Sequence, residues 1–460
     1  MLIRRAELQA GAVVDVRLER GRIAAIGDLT PHADEPVVEA NAGLLLPGLH
    51  DHHIHVAALA ASLTSVRCGP PKVATRDELA AVLSPPGQGW LRGIGYHEGV
   101  AGMLDAVTLD AMNCDRPLRI QHRSGRMWFF NSAGLDKILA NTPPPPGLER
   151  EGNRYTGRLF DEDAWLRRAL ASTPPFFGAV GNLLARAGVT GLTDMSVGND
   201  VAMAHHFARE HASGALPQRI LLAGTLGLAD AESEPGISVG PAKLHLHEAQ
   251  LPSLGDALAF IGEAHAQARA VAIHCVTEVE LVFALALLRG AGAERGDRIE
   301  HASVAPDSAV AEIADLNLAV VSQPHFIAER GDLYRRDVDP SDQPLLYRLR
   351  AFLDAGVSLA GGSDAPFGSP DPWAAMAAAV SRQTADGAFI GEAEALTPEE
   401  ALDLYLREPE ALHRRRSIAV GAPADLCLLD RPWDQARSAL SADLVRTTFI
   451  DGRILHDRVD

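Results

Sequence analysis

The sequence predicts an α/β protein: a (β/α)8, TIM-like barrel carrying a small β-sandwich domain formed by both termini. Three observations predict it. Short apolar runs alternate with helical patterns through the middle of the 460-residue chain, eight runs in all. Both ends read instead as closely spaced short strands. Five of the eight runs end in His, Asp or Lys, and catalytic groups of such barrels sit at the C-terminal ends of the strands.

Residues 1–45 supply the first part of the sandwich. Segments 13–17 and 22–26 read as strands across a turn at 19–21, and 37–40 as a third. Residues 401–460 supply a linker helix and the second part. A strand is expected at 425–429, and a hairpin at 445–450 and 453–456 across Asp451 and Gly452, a pair that readily takes the positive φ of a tight turn. Residues 46–400 hold the barrel. Its strands are expected at 44–55, 118–123, 189–195, 242–246, 270–276, 298–302, 319–323 and 357–363. Helical patterns fall at 254–268, 278–290, 308–316 and 344–355, and the proline run 143–146 is assigned to a surface insertion between the second and third strands.

Composition narrows the class. With 47% hydrophobic and 22% charged residues the chain is ordinary globular material. Its 42 basic and 60 acidic residues leave a net charge of −18, which argues against nucleic acid or an anionic membrane as partner. No run is long and apolar enough for a transmembrane helix, and the N-terminus lacks a signal-peptide core. Cys68, Cys114, Cys275 and Cys427 are widely spaced without a CxxC pair, so a reducing cytoplasm is expected. Only three of the 42 basic residues are lysines: Lys72, Lys137 and Lys243. Where arginine fills almost every cationic position, each lysine stands out.

His53 and His55 lie two apart on an extended segment, so both imidazoles can face one ion. Neutral imidazole binds zinc and similar divalent metals well. Alone the pair is a weak signal. Its setting, Leu46-Pro47-Gly48-Leu49-His50-Asp51-His52-His53-Ile54-His55 between the strand-rich end and the barrel, makes it stronger.

These residues resemble the amidohydrolase superfamily, whose first strand carries PG-x-x-D-x-H-x-H. The resemblance runs on through His274, Arg298-Ile299-Glu300-His301, Gly362-Ser363-Asp364 and the tail Val420-Gly421-Ala422-Pro423-Ala424-Asp425. Trp128 with Asn131-Ser132-Ala133, Thr156-Gly157 and Ser322-Gln323-Pro324-His325 are similar to the family 3 branch, which includes N-substituted formamide deformylases. The resemblance implies that His53, His55 and Asp364 bind one metal. It implies that His274 and His301 bind a second, or that one of them contacts substrate in a one-metal enzyme. Zinc is expected first, with cobalt, manganese or iron as alternatives. Asp364 is implied as general base toward a metal-activated water and then as general acid toward the leaving group.

Binuclear members carry a carboxylated lysine on the fourth strand, where this chain has Lys243. Carboxylation by CO2 needs a deprotonable amine, which arginine cannot offer. His245 and His247 form a second HxH pair, expected to line the pocket rather than to rival the metal ligands. Arg126, near where the branch has a histidine, is a candidate for a substrate carboxylate or carbonyl. Trp128 and His325 are further pocket candidates. Trp128, Phe129, Phe130, Phe326 and Tyr96 are read either as an apolar substrate wall or as core.

The expected function is metal-dependent hydrolysis of a C–N bond in an amide, formamide or carbamate on a small, partly apolar molecule. A deaminase or cyclic-amidine hydrolase is the alternative, which Lys243 disfavours in its one-metal form. An esterase or lactonase stays open. A non-catalytic binding protein is disfavoured because none of the six expected ligand positions is lost. Homo-oligomers are expected by analogy only.

Overall fold

A computed structural model describes residues 1–8, 11–70, 72–112, 116–170 and 174–458. The chain divides into two compact units: Met1–Val56 with Phe176–Asp460, and Ala57–Pro175. Cys114 lies outside the described residues; Cys68, Cys275 and Cys427 are buried thiols.

The first unit contains an eight-stranded parallel sheet. Its strands in chain order are β1 (Leu49–Ile54), β2 (Val189–Asp194), β3 (Arg219–Gly224), β4 (Ile237–His245), β5 (Val271–Cys275), β6 (Arg298–His301), β7 (Ala319–Ser322) and β8 (Ser358–Gly361). Neighbours in the chain are neighbours in the sheet, as in a (β/α)8 barrel. Its two edges come together just past β8. The Asp364 amide donates to the His53 carbonyl at 2.6 Å, and the Ser363 amide donates to the Asp51 carboxylate at 2.9 Å. Gly362 permits this approach: a Cβ there would stand 2.5 Å from the His53 Cβ and 2.7 Å from its backbone nitrogen.

The barrel differs from expectation at two strands. Segment 118–123 is not one of its strands; Leu118–His122 belongs to a six-stranded sheet in the second unit. Arg219–Gly224 takes a barrel position instead. The two differences cancel in the count, so Lys243 still lies on the fourth strand, His274 on the fifth and His301 on the sixth. The insertion that holds residues 143–146 accordingly follows the first strand, not the second.

Helices follow the strands where apolar periodicity and caps coincide. Glu278–Ala291 starts at a capping box in which Thr277 and Glu280 satisfy each other's backbone amides, and it buries Leu281, Ala284, Leu285 and Leu288. Leu254–Ala266 is capped by the Ser253 side chain. At the N-terminal ends of the strands, the hairpin of Arg407–Glu408 and Ala411–Arg415 packs Leu412 against Ala319, Val321 and Ala360.

The terminal strands form two four-stranded sheets. One takes Leu2–Glu7, Val13–Glu19, Arg22–Gly27 and Val37–Glu39; the other takes Leu45–Pro47, Leu426–Leu429, Val445–Ile450 and Arg453–Asp457. Ile3, Val16, Leu18 and Ile23 of the first bury against Leu45, Leu426, Leu428 and Phe449 of the second, which makes a sandwich. The 451–452 turn has φ of 51° at Asp451 and 69° at Gly452, as the Asp-Gly pair predicts. Among the described residues no helix is long and apolar enough to cross a membrane.

The second unit is built on its own six-stranded sheet. One face buries Leu91, Leu118, Ile120, Met127 and Phe129; the other carries Trp128, Phe130, Leu148 and Leu159.

Candidate metal centre

Strand register puts the polar groups of β4, β5 and β6 on one face. Lys243 is opposite Ala272, and Ala272 opposite Arg298; His245 is opposite His274, and His274 opposite Glu300. Side chains directly opposite in a parallel sheet share a face. That face is the barrel interior, because Arg298 reaches across to the His52 carbonyl on β1 at 3.0 Å and to the Met195 sulfur just past β2.

Two departures from ideal strands bring in the remaining groups. The pairing of β1 with β2 shifts between Leu192 and Asp194, opposite Asp51 and Ile54, so β1 carries a bulge at residues 52–53. Bulges re-aim side chains near active sites. His301 has φ +71° and Asp364 φ +51°. Such left-handed residues cost roughly 1–3 kcal/mol each and persist only where the surroundings over-determine them. Alternation alone would turn His301 away from the Glu300 face. The left-handed turn instead sets its ring centroid 4.7 Å from His53 and 4.5 Å from His274.

His53, His55 and Asp364 each offer a ligand atom, all within 4.8 Å of one another. Asp364 Oδ1 stands 3.1 Å from His55 Nε2 and 3.5 Å from His53 Nε2. The opposite ring nitrogens are occupied. His53 Nδ1–H donates to Glu300 Oε2 at 2.5 Å, and His55 Nδ1 is 3.1 Å from Ser196 Oγ. His301 repeats the pattern: its Nδ1–H donates to Gln323 Oε1 at 2.8 Å, while its buried Nε2 has no partner. Tying Nδ1 leaves the Nε2 lone pair directed inward, as in imidazoles that ligate metal. Lys243 is buried and its Nζ also lacks a partner. A buried, unpaired amine is costly. Burial, with smaller opposing effects of the Glu300 and Asp364 charges, brings its pKa down to about 8. This donor set fits divalent metal: two imidazole Nε2 atoms gathered on one carboxylate, beside His301 Nε2 and Lys243 Nζ without hydrogen-bond partners.

The electrostatics favour neutral imidazoles at His53, His274 and His301. Burial pushes His53, His274 and His301 below the ordinary histidine range, and the Lys243 charge adds to it. Burial pushes the Asp364 carboxyl the other way. The His55 hydrogen bond, with the charge that His53 and His301 carry once protonated, outweighs it and holds Asp364 below the usual carboxylate range. Asp51 accepts from the His53 and Ser363 amides, and burial raises it to about 6. Asp194 accepts from the amides of Val56 and Ser196 and so fixes the Ser196 loop beside His55.

The other predicted residues are placed as follows. His245 stacks on His274, centroids 4.2 Å apart and planes within 15°. His247 accepts from the Ala249 amide at the start of a short 3-10 turn. His325 is buried; its Nε2–H donates to the Ser363 carbonyl at 3.0 Å, so it steadies the loop that carries Asp364. Arg126 and Trp128 belong to the second unit. Arg126 makes a two-pronged ion pair with Asp161, both contacts 2.7 Å, and Trp128 donates to Asp163. Tyr96, Trp128, Phe129, Phe130 and Phe326 are buried in hydrophobic clusters, the core reading of the two.

Glu300 was not singled out by the sequence reasoning, nor was Phe367. The signal for Glu300 was present: two charges, Arg298 and Glu300, alternate along a strand otherwise fit for burial. Phe367 follows Asp364 by three residues, is 49% exposed, and sets its ring edge-on to His55 at 5.8 Å. Exposed Val197 and Val276 likewise follow Ser196 and His274 closely. A cleft of about 510 Å³ opens at the other, N-terminal end of the strands and touches none of the histidines named above. Its buried charges are engaged: Arg269 by carbonyl oxygens, Asp297 by backbone amides and His265, and Arg298 by Glu300.

A (β/α)8 barrel whose strand ends converge on two histidines and an aspartate defines a metal-dependent hydrolase. The chain belongs to the amidohydrolase family, whose profile matches residues 36–456. It is 28% identical to an N-substituted formamide deformylase of Arthrobacter pascens, over 99% of this chain and 97% of that protein. It is 24% identical to a putative amidohydrolase of Bacillus subtilis (strain 168), over 93% and 92%. Among solved structures, a metal-dependent hydrolase from Pyrococcus horikoshii shares the fold at a TM-score of 0.78, with 19% identity and 99% of both chains covered. The zinc-complexed atrazine chlorohydrolase of Arthrobacter aurescens shares it at 0.57, with 16% identity over 99% of this chain and 95% of that one.

Proposed function

We propose that the chain hydrolyses the C–N bond of an amide, formamide or carbamate on a small, partly apolar molecule. The observation that carries this reading is the convergence of His53 and His55 Nε2 on Asp364 Oδ1 beside a buried, unpartnered Lys243 amine. The formamide end of the range is supported by the Arthrobacter pascens relative. The apolar part is supported by half-exposed Phe367 against His55.

His53, His55 and Asp364 would hold one divalent ion, with zinc the first candidate, and His274, His301 and Lys243 a second. A divalent ion there supplies Lewis acidity and a more acidic water. Asp364, kept ionised, takes a proton from the attacking water and returns it to the leaving nitrogen. Glu300, Ser196 and Gln323 hold the Nδ1 atoms of His53, His55 and His301, so that each Nε2 would be the atom offered to a metal. Lys243 is proposed to be carboxylated. Its lowered pKa, about 8, leaves a fraction of the amine neutral at pH 7 to add CO2 with release of one proton to solvent, and the carbamate would supply negative charge among the histidines. A carbamate at Lys243 would favour two ions over the single ion of the deaminase alternative. A cytoplasmic setting fits the buried thiols Cys68, Cys275 and Cys427.

Metal analysis with a panel of formamides, amides, carbamates and esters tests the reading. Up to two divalent ions per chain are expected, with C–N turnover that chelation abolishes. Absence of metal after metal-supplemented expression, or turnover of esters alone, would overturn it. Lys243→Ala is expected to lose metal and activity, with partial rescue by short carboxylic acids; full activity in that variant rules out the bridge.

A further inference from the structure

The second unit holds a pair of arginines that its own structure does not neutralise. Arg92 and Arg119 lie directly opposite each other on neighbouring parallel strands, Leu91–Tyr96 and Leu118–His122. Directly opposed like charges destabilise a sheet. Both guanidinium groups sit over the same indole, 5.5 Å and 5.7 Å from the Trp128 ring centroid, and Arg119 is also 5.6 Å from Trp90. Both side chains are partly buried, and burial lowers both pKa values, Arg92 to about 10 with a further contribution from Arg119.

Among the described residues neither arginine has a carboxylate within ion-pair distance. Arg92 donates only to neutral oxygens, Ser65 Oγ at 3.0 Å and Gln121 Oε1 at 3.3 Å. Gln121 is fixed in that orientation because its amide nitrogen donates to the Gly125 carbonyl. Arg119 Nε is buried without a hydrogen-bond partner. The nearby acid, Asp163, raises the Arg92 pKa through space; its Oδ1 accepts the Trp128 N–H at 2.8 Å. Two cations therefore share one aromatic platform, with one acid that hydrogen-bonds elsewhere.

The geometry points to an oxyanion site here: Arg92 and Arg119 on the Trp128 platform take the carboxylate or phosphate group of a small molecule. Guanidinium forks match both planar carboxylates and phosphate oxygens. Such a ligand would offset the repulsion between the two cations. The site uses none of the histidines of the metal centre, so it stands or falls apart from the proposed reaction.

The full-length, metal-loaded protein is titrated with inorganic phosphate and, separately, with acetate, against chloride at matched ionic strength. Binding is read by tryptophan fluorescence and by the thermal midpoint. A saturable change is expected with at least one of the two anions, and the one that saturates at lower concentration identifies the ligand group. In Arg119→Met the apparent Kd weakens at least tenfold and the anion-dependent rise in midpoint disappears. Arg119→Lys, which keeps the charge and loses the fork, falls between. No saturable response in the natural protein overturns the proposal. An identical response in Arg119→Met overturns it as well, because the anion then binds elsewhere. If Arg119→Met does not fold, the same comparison is made with Arg92→Gln.

Discussion

Replacing Glu300 with glutamine tests whether this carboxylate organises the metal centre. Glu300 is fully buried and serves two partners at once: Arg298 Nε donates to Oε1 at 2.5 Å and His53 Nδ1–H to Oε2 at 2.5 Å. A glutamine amide has one acceptor where two donors need one, so either Arg298 or His53 faces an N–H. If Arg298 loses its partner, a buried charge is left uncompensated at a cost of roughly 3–5 kcal/mol. If His53 loses its partner, the tautomer with an inward Nε2 lone pair is no longer fixed, which costs roughly 10–100-fold in metal affinity. Glu300→Gln should therefore unfold at lower denaturant and release metal to a chelator at least tenfold more readily. The double variant Arg298→Met, Glu300→Gln separates the two effects. It removes the orphaned charge and should regain stability, yet metal affinity should stay low. A single variant that keeps both natural metal affinity and natural stability would refute the reasoning.

Three further outcomes are expected. Asp364→Asn should retain most metal but lose roughly 10²–10⁴-fold in kcat, since the proton-transfer group is gone while the histidines remain; unchanged turnover with full metal occupancy would remove Asp364 from proton transfer. Lys243 has a folded pKa of about 8, below its unfolded value, so its protonated form costs stability at neutral pH and that cost is relieved as pH rises from 8 toward 10.5. At a fixed concentration of dissolved CO2, reactivation of the metal-stripped protein should accordingly rise about tenfold from pH 7 to 9 and then level, whereas an ordinary lysine still gains about tenfold per unit at pH 9. Phe449→Ala, in the fully buried sandwich core, should lower stability by roughly 3–5 kcal/mol while metal stoichiometry per folded chain holds, checked by denaturant titration and metal analysis.

The barrel was legible in the sequence because its strands are buried on both faces and read as continuous apolar runs ending in polar groups. Val189–Asp194 is buried at every position. Segment 118–123 carried a different signature, Leu-Arg-Ile-Gln-His, with alternate residues buried. That is the pattern of a sheet with unlike faces, and the structure places it in one. Ile220-Leu221-Leu222-Ala223 fits the barrel pattern, but it is short and runs into the apolar stretch Leu226–Asp230, which blurred its end. The residues of the first metal cluster were legible because HxH and Ser-Asp at strand ends are compact local signals. Glu300 and Gln323 were hidden because their partners, His53 and His301, are named by contacts across the barrel or between strands. Arg126 read as a substrate fork, yet its ion pair with Asp161 is a contact over 35 residues that no local pattern announces.

The strand that brings His53 and His55 into place continues directly from Leu45–Pro47, and that segment pairs with Leu426–Leu429, with Leu426 opposite Pro47. Residues 45–47 are thus completed by a segment made roughly 380 residues later. At about 5–20 residues per second, ribosomal synthesis separates the two by roughly 20–80 s. During that interval His53 and His55 have left the ribosome without the sheet that anchors their strand. A nascent chain stalled before residue 426 should for this reason retain metal at the candidate ligands His53 and His55 less well than the 460-residue chain does.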